Sequence, residues 1–207
     1  MMFRARLEKA LGPAASEVAD GAIERLAQLD ELLLRWGQAI RLVGFKSQDE
    51  RDRRYFAEAL ALSRWLPAEG LVMDIGSGGG SPALPLAILR PSVEWTLVES
   101  NERKALFLEE AVHTLRLSNV NVVRARYEDV ELTSALDAVT VRGVALGEKA
   151  LEKIASELAP RGRLLWISSE ARLAAGRVGL DDSWALVTGP TPLLQNGAFL
   201  LIAEQRE

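Results

Sequence analysis

The chain has 207 residues, 48% of them apolar and 26% charged, and its 29 acidic and 25 basic side chains leave a net charge of −4. That mix fits one ordinary globular unit, argues against disorder, and gives the chain no overall attraction for nucleic acid, while leaving room for a local basic patch. Cysteine is absent and His113 is the single histidine, which excludes disulfides, thiolate-bound zinc, iron–sulfur clusters and a cysteine nucleophile, and argues against a histidine metal site or a Ser-His-Asp triad.

The N-terminus carries Arg4, Arg6, Glu8 and Lys9 and has no apolar core of signal-peptide length. No run approaches the roughly 18 apolar residues of a membrane span. The expectation is a cytoplasmic protein with no membrane or metal partner. From Ser16 onward, Val18, Ile23, Leu26, Leu29, Leu33, Trp36 and Ile40 recur at helical steps. A second helical pattern covers 51–66, with Tyr55, Ala59, Leu62 and Leu66 on one side, and Pro67 and Gly70 end it.

After Gly70 the texture changes. Short apolar strands are predicted at 71–75, 93–98, 120–124, 136–142 and 163–168, with helices at 81–90, 101–117 and 147–158 between them. This alternation predicts a parallel sheet covered by helices on both faces. Two closing strands, 184–188 and 198–204, have no helix of any length between them, which predicts an antiparallel finish. The expected organisation is an N-terminal helical extension over 1–69 packed on an α/β core over 70–207.

The chemistry concentrates at 72-VMDIGSGGGSPALPLA-87. The glycine loop lies at the carboxyl end of the first strand, where open α/β sheets bind ligands. Glycine permits positive φ and close backbone approach, and the following helix offers unpaired N–H groups. Glu99 closes the next strand, where a carboxylate can accept both hydroxyls of a ribose. Two cofactors use this layout. Gly76, Gly78 and Ser81 fall at the dinucleotide spacing G-x-G-x-x-G/A, but with Ser at the last position. Asp74, Gly76, Gly78 and Gly80 fit the D/E-x-G-x-G-x-G loop of S-adenosylmethionine sites position by position. In that reading Asp74 bonds the loop amides and helps hold a ligand ammonium, whereas a pyrophosphate is disfavoured beside it.

The segments VMDIGSGGGSPALPLAILRP, ESNERKALFLEEAVHTLRLSNV, RARYEDV and VTVRGVA, together with LDELLLRWGQAIRLV near the N-terminus, resemble the RsmG family, also called glucose-inhibited division protein B. The resemblance implies a Rossmann-like class I methyltransferase fold with a mostly parallel seven-stranded sheet. It implies S-adenosyl-L-methionine as cofactor, N7 of a guanine in small-subunit (16S) ribosomal RNA as target, and ribosomal RNA or the small ribosomal subunit as partner. The cofactor site it implies comprises Asp74, Gly76, Ser77, Gly78, Gly80, Ser81, Glu99, Ser100, Tyr127, Glu128 and Arg142, with Tyr127 and Glu128 beside the adenine. Arg54 and Arg142 are the implied substrate contacts. The sequence departs from the family pattern at several points. N-L-T becomes Arg41-Leu42-Val43, R-H-x-x-D-S becomes 54-RYFAEA-59, the late Lys falls on Ser168, the loop's usual Pro is Gly79, and Ser81 stands where Leu is common.

A guanine N7 carries an exposed lone pair, so methyl transfer to it needs placement and electrostatic fit more than a base. Arg142, at a strand end, is expected to bind the cofactor carboxylate or a substrate phosphate. Arg35, Arg41, Lys46, Arg51, Arg53 and Arg54 form a basic stretch near the expected site mouth, which Arg124 and Arg126 could extend. The alternative is a solvated helix face. His113 reads as a helix-surface residue, the five Trp as packing, and Asp137 as a loop-end carboxylate. An NAD-dependent oxidoreductase and a non-catalytic relative that binds RNA or a partner stay open as competing readings.

Overall fold

The computed structural model describes residues 2–40, 42, 44–177, 180–193 and 198–206. The expected α/β core is present as a seven-stranded sheet in the order β3-β2-β1-β4-β5-β7-β6. Its strands are β1 (Gly70–Ile75), β2 (Val93–Val98), β3 (Val120–Val123), β4 (Leu136–Arg142), β5 (Leu158–Ser168), β6 (Trp184–Pro192) and β7 (Phe199–Gln205). The first five run parallel to their neighbours, while β7 is antiparallel to both β5 and β6. The chain winds outward from β1 through β2 to β3, then returns to lay β4 on the other side of β1. This reversal opens a crevice at the carboxyl ends of β1 and β4, where ligands of such sheets bind.

Sheet alternation sorts the side chains into two cores. Val72, Leu97, Ala138, Leu165 and Ile167 face the N-terminal helices together with α5 (Ala83–Leu89) and α6 (Glu102–Leu115). Met73, Ile75, Val139, Val141 and Trp166 face α7 (Glu148–Glu157) and α8 (Glu170–Arg177). With both faces covered, the central strands read as nearly continuous apolar runs. The helix α8 lies between the last parallel strand and the antiparallel pair, where the sequence predicts none. In its segment, EARLAAGR, Leu173 is buried, and the run offers too little apolar periodicity to announce it.

The N-terminal region contributes α1 (Met2–Leu11), α2 (Asp20–Ala39), α3 (Gln48–Arg51) and α4 (Glu58–Leu62). The helix read from Ser16 starts at Asp20, after a 3-10 turn at Gly12–Glu17. The helix expected over 51–66 is also not regular. A π turn, Asp52–Ala57, joins α3 to α4, and a 3-10 turn, Ser63–Trp65, ends the run. The π turn and the start of α4 bury Tyr55, Phe56, Ala57, Glu58 and Ala59 in succession, so the run is covered on more than one helical face. Buried ion pairs hold it in place. Arg51 Nε meets Asp30 Oδ1 at 2.5 Å, and Arg6 reaches Asp30 Oδ2 at 2.9 Å and Asp52 Oδ2 at 3.0 Å.

Trp95, Trp166 and Trp184 are buried, and Trp36 and Trp65 pack against the core. His113 is exposed on α6. Asp137 Oδ2 accepts the Leu71 N–H at 2.8 Å, at the sheet end away from the crevice. Among the described residues no helix is long and apolar enough to cross a membrane.

Candidate functional site

The glycine loop lies at the crevice, and four of its main-chain donors are engaged. Gly76 N and Ser77 N donate to Val98 O at 2.9 and 3.0 Å, Gly80 N to Ser77 O at 2.7 Å, and Gly78 N to Glu99 Oε2 at 2.8 Å. Gly76 has φ +69°, and a Cβ there would stand 2.7 Å from Val144 Cγ2, so position 76 admits only glycine without a shift of neighbours. Glu99 also accepts the Asn101 N–H at 2.7 Å. A carboxylate has about four acceptor positions, so Glu99 keeps room for hydroxyl donors while it braces the loop.

The structure corrects the expectation that Asp74 bonds the loop amides. Those amides go to Val98, Ser77 and Glu99. Asp74 is 1% exposed beneath the loop, where its Oδ1 accepts the Thr140 hydroxyl at 2.5 Å and its main-chain O accepts the Ser77 hydroxyl at 2.9 Å. Burial raises its pKa from 3.8 to about 6; the Thr140 hydrogen bond and the charge of Arg142 oppose that shift, and the charge of Glu99 adds to it.

Arg142 is the second corner of the site. Its sheet alternation places it on the side of the N-terminal helices, and it forms a salt bridge with the fully buried Glu58. Its Nη1 donates to Arg54 O at 2.5 Å and to Ser81 Oγ at 3.1 Å. The π turn makes the first of these available. In an α-helix the Glu58 N–H bonds Arg54 O, whereas here it bonds Arg53 O, and Arg54 O turns to Arg142. Burial draws the Arg142 pKa down, and Glu58 offsets part of that. Arg142 is therefore engaged as a brace, and its expected reach to a cofactor carboxylate or a substrate phosphate is not how its guanidinium is used in this structure. Two further bonds join the same regions. Tyr55 Oη donates to Gly79 O at 2.7 Å, and Ser81 Oγ donates to Tyr55 O at 3.1 Å.

These braces enclose a cleft of about 410 Å³ lined by Gly76, Ser77, Gly78 and Ser81 with Arg54 and Arg142. Lys104 brings an ammonium group to the same cleft. A second cleft of about 380 Å³ shares Arg54, Arg142 and Gly143 with the first and continues to Ser168, Ser169 and Arg172 at the ends of β5 and α8.

Other candidates sit apart from these linings. Gly80 is buried, with φ +85°, against Leu84 and Leu108. Ser100 and Glu128 are exposed. Tyr127 is buried and turns its hydroxyl to Glu157 Oε2 at 2.7 Å, with Lys153 over its ring, so only its main chain is left to serve a ligand. The basic stretch is broken up. Arg51 is interior, Arg35 pairs with Glu110, Arg54 with Glu50 and Arg124 with Glu102. Lys46, Arg53 and Arg126 are exposed, and Arg41 lies outside the described residues. Sequence reasoning missed Tyr55 and Glu58 as braces, though both stand in the quoted 54-RYFAEA-59. It also missed Lys104, Gly143 and Arg172, and Arg172 sits in the helix it did not predict.

Comparisons with known proteins identify the family and the fold. A family model described as GidB, rRNA small subunit methyltransferase G, matches residues 22–177. A ribosomal RNA small subunit methyltransferase G of Xanthomonas campestris pv. campestris is 38% identical over 152 residues, 73% of this chain and 68% of that one. The protein of that name from Neisseria meningitidis serogroup C is 32% identical over 145 residues, 70% of each chain. Among solved structures, the ribosomal protein L11 methylase of Lactobacillus delbrueckii subsp. bulgaricus aligns with a TM-score of 0.63 at 14% identity, over 75% of this chain and 80% of that one. A Streptococcus mutans chain in complex with SAH aligns with a TM-score of 0.56 at 17% identity, over 71% and 94%. The fold is thus the Rossmann-like methyltransferase fold, and the chain belongs to the rRNA small subunit methyltransferase G family.

Proposed function

We propose that this chain is a cytoplasmic S-adenosylmethionine-dependent methyltransferase that modifies N7 of a guanine in small-subunit ribosomal RNA. The observation that carries this is the cleft at the β1–β4 reversal, floored by the main chain of Gly76 to Gly78 with Glu99 beside it. The donor set fits S-adenosylmethionine. Glu99 accepts the ribose hydroxyls, Lys104 meets the carboxylate, and the loop's missing side chains let a ligand lie against the backbone. The volume falls within the usual range of roughly 300–1,000 Å³ for small-molecule sites. Asp74 and Glu99 put two carboxylates at the loop, which suits a cationic ligand and disfavours the pyrophosphate of a dinucleotide.

Bound there, the cofactor supplies a methyl group activated by a sulfonium. The protein's residues then have to place the acceptor and exclude water. The second cleft is lined by Arg54, Arg142, Arg172, Ser168 and Ser169, with no carboxylate or imidazole among its described residues. Such a lining offers no ready proton acceptor. It suits a nucleophile that already has a lone pair, as guanine N7 does, and suits poorly an amine or hydroxyl that must lose a proton. The helical extension 1–69 and the core 70–207 act together in this reading, because Tyr55 and Glu58 brace the loop and Arg142. The test is transfer of labelled methyl from S-adenosylmethionine to purified small subunits or their RNA, with the base mapped by mass. The expected product is one N7-methylated guanine. Absence of S-adenosylmethionine binding in calorimetry on pure protein overturns the proposal.

A further inference from the structure

The geometry points to the arginine cleft as the seat of the acceptor nucleotide, with its phosphate held between Arg54 and Arg172. This rests on the reading of the chain as an RNA methyltransferase and assigns its RNA contact to residues outside the glycine loop. The cleft shares Arg142 and Gly143 with the glycine-loop cleft, so a base placed in it borders the cofactor site directly. At the junction stands Gly143, where a Cβ would meet nothing within 4 Å. The passage between the two clefts is therefore free of side-chain atoms at that residue.

The charges are disposed for a phosphate. Arg142 is consumed by Glu58, Arg54 O and Ser81. Arg54 donates Nη1 to Glu50 at 2.8 Å and lays its guanidinium over the Phe45 ring at 5.9 Å, which leaves its other nitrogens without a hydrogen-bond partner among the described residues. Among the described residues Arg172 commits only Nη1, which donates to Gly143 O at 2.8 Å. Each guanidinium keeps the edge that a phosphate accepts in bidentate fashion. The bond to Gly143 O also fixes Arg172 over the junction, so its fork is positioned before substrate arrives. Ser168 and Ser169 add hydroxyls on the same wall. Glu58 and Glu50 offset part of the charge of Arg142 and Arg54, and Arg172 has no carboxylate partner among the described residues, so in a chain of net charge −4 the cleft is a local positive site for a polyanion. A base reaches such a cleft only from a loop or after leaving its stack.

The test measures small-subunit RNA binding and methyl transfer across a salt series for wild type, Arg172→Ala and Arg172→Lys. Arg172 is exposed, and an unchanged S-adenosylmethionine affinity in calorimetry verifies that each variant is folded. Arg172→Ala is expected to raise the RNA dissociation constant and KM roughly tenfold, as loss of a charged hydrogen bond does. It should also lower the slope of log K against log salt by about 0.7–1, one phosphate contact fewer. Arg172→Lys should restore the slope but only part of the affinity, since it keeps the charge and loses the fork. If wild type methylates the RNA and Arg172→Ala leaves both slope and KM unchanged, Arg172 merely ties α8 to the end of β4 and the inference is overturned while the function stands. If wild type binds S-adenosylmethionine but neither binds nor methylates the RNA, the functional reading fails and takes the inference with it.

Discussion

The glycine-loop cleft and the arginine cleft share a wall, yet the chain builds them from different material. The first is shaped by main chain. Its loop donors go to Val98 O, Ser77 O and Glu99, and its floor is Gly76 to Gly78. The second is shaped by long side chains, Arg54, Arg142 and Arg172, drawn from the π turn, the end of β4 and α8. A site made of main chain needs few particular residues, mostly those whose absence of a side chain matters. A site made of side chains needs each residue, and each depends on the element that carries it. The shared wall, Arg142 with Glu58, is where both requirements meet.

Breaking that wall should cost most. Glu58 is fully buried and Arg142 is 17% exposed. Glu58→Gln keeps the volume and removes the negative charge, which leaves the guanidinium without its counter-ion. Breaking a buried pair typically costs about 3–5 kcal/mol, and the exposed edge of Arg142 trims this to about 2–4 kcal/mol. Urea unfolding should read this as a lower midpoint at unchanged slope, with both S-adenosylmethionine and RNA affinities reduced. If only one affinity falls, Arg142 serves a single cleft and the two are not joined through it.

The next test is confined to the glycine-loop side. Burial lifts Asp74 from 3.8 to about 6, so the folded protein holds this proton more tightly than the unfolded chain does. Between those two values the folded state binds more protons, and stability falls as pH rises through that window, then levels off above it. Asp74→Asn removes the titration and keeps an oxygen for the Thr140 hydroxyl. Its stability relative to wild type should therefore climb from about pH 4 to pH 6, by up to about 3 kcal/mol at 1.4 kcal/mol per pH unit. Chemical unfolding of both proteins across pH 4–8 checks this. A difference that does not change with pH means that Asp74 ionises in the fold as freely as in the unfolded chain. A carboxylate kept in a place that penalises its charge, beside a ligand loop, is what a cationic ligand rewards.

This contrast in material also explains what the sequence made legible. The sheet, its order of strands and helices, and the glycine loop follow from apolar runs, Gly and Pro punctuation and one acidic strand end at Glu99, all local signals. Which group each carboxylate holds is not local. The loop bond expected of Asp74 goes to Val98 O and to Glu99, at the end of the neighbouring strand, while Asp74 turns to Thr140 on β4. Residues 54–58 looked like a helix face because a π turn differs from an α-helix by one hydrogen-bond step, which leaves little trace in periodicity. Arg172 escaped notice because EARLAAGR has too few large apolar residues to give a pattern. The departures from the family motif at Tyr55 and Ser81 were legible as differences but not as partners. The structure pairs them, since Ser81 Oγ donates to Tyr55 O and Tyr55 Oη to Gly79 O.

That pairing gives the smallest and sharpest test. Tyr55 is fully buried, its ring stacked edge-on with Phe45 and Phe56 at 6.3 and 4.9 Å between centroids. Tyr55→Phe preserves those contacts and removes only the hydroxyl that donates to the buried Gly79 O. An unmet buried carbonyl costs about 1–3 kcal/mol, and a loop that can relax toward the cleft finds water and pays the lower end. The expected result is about 1 kcal/mol less stability and a severalfold weaker S-adenosylmethionine affinity, with the RNA KM and salt slope unmoved. Loss of stability with full cofactor affinity would make Tyr55 a brace of the fold alone. A shift in the RNA salt slope would show that the loop and the arginine cleft move together, and that their separation by material is not a separation of function.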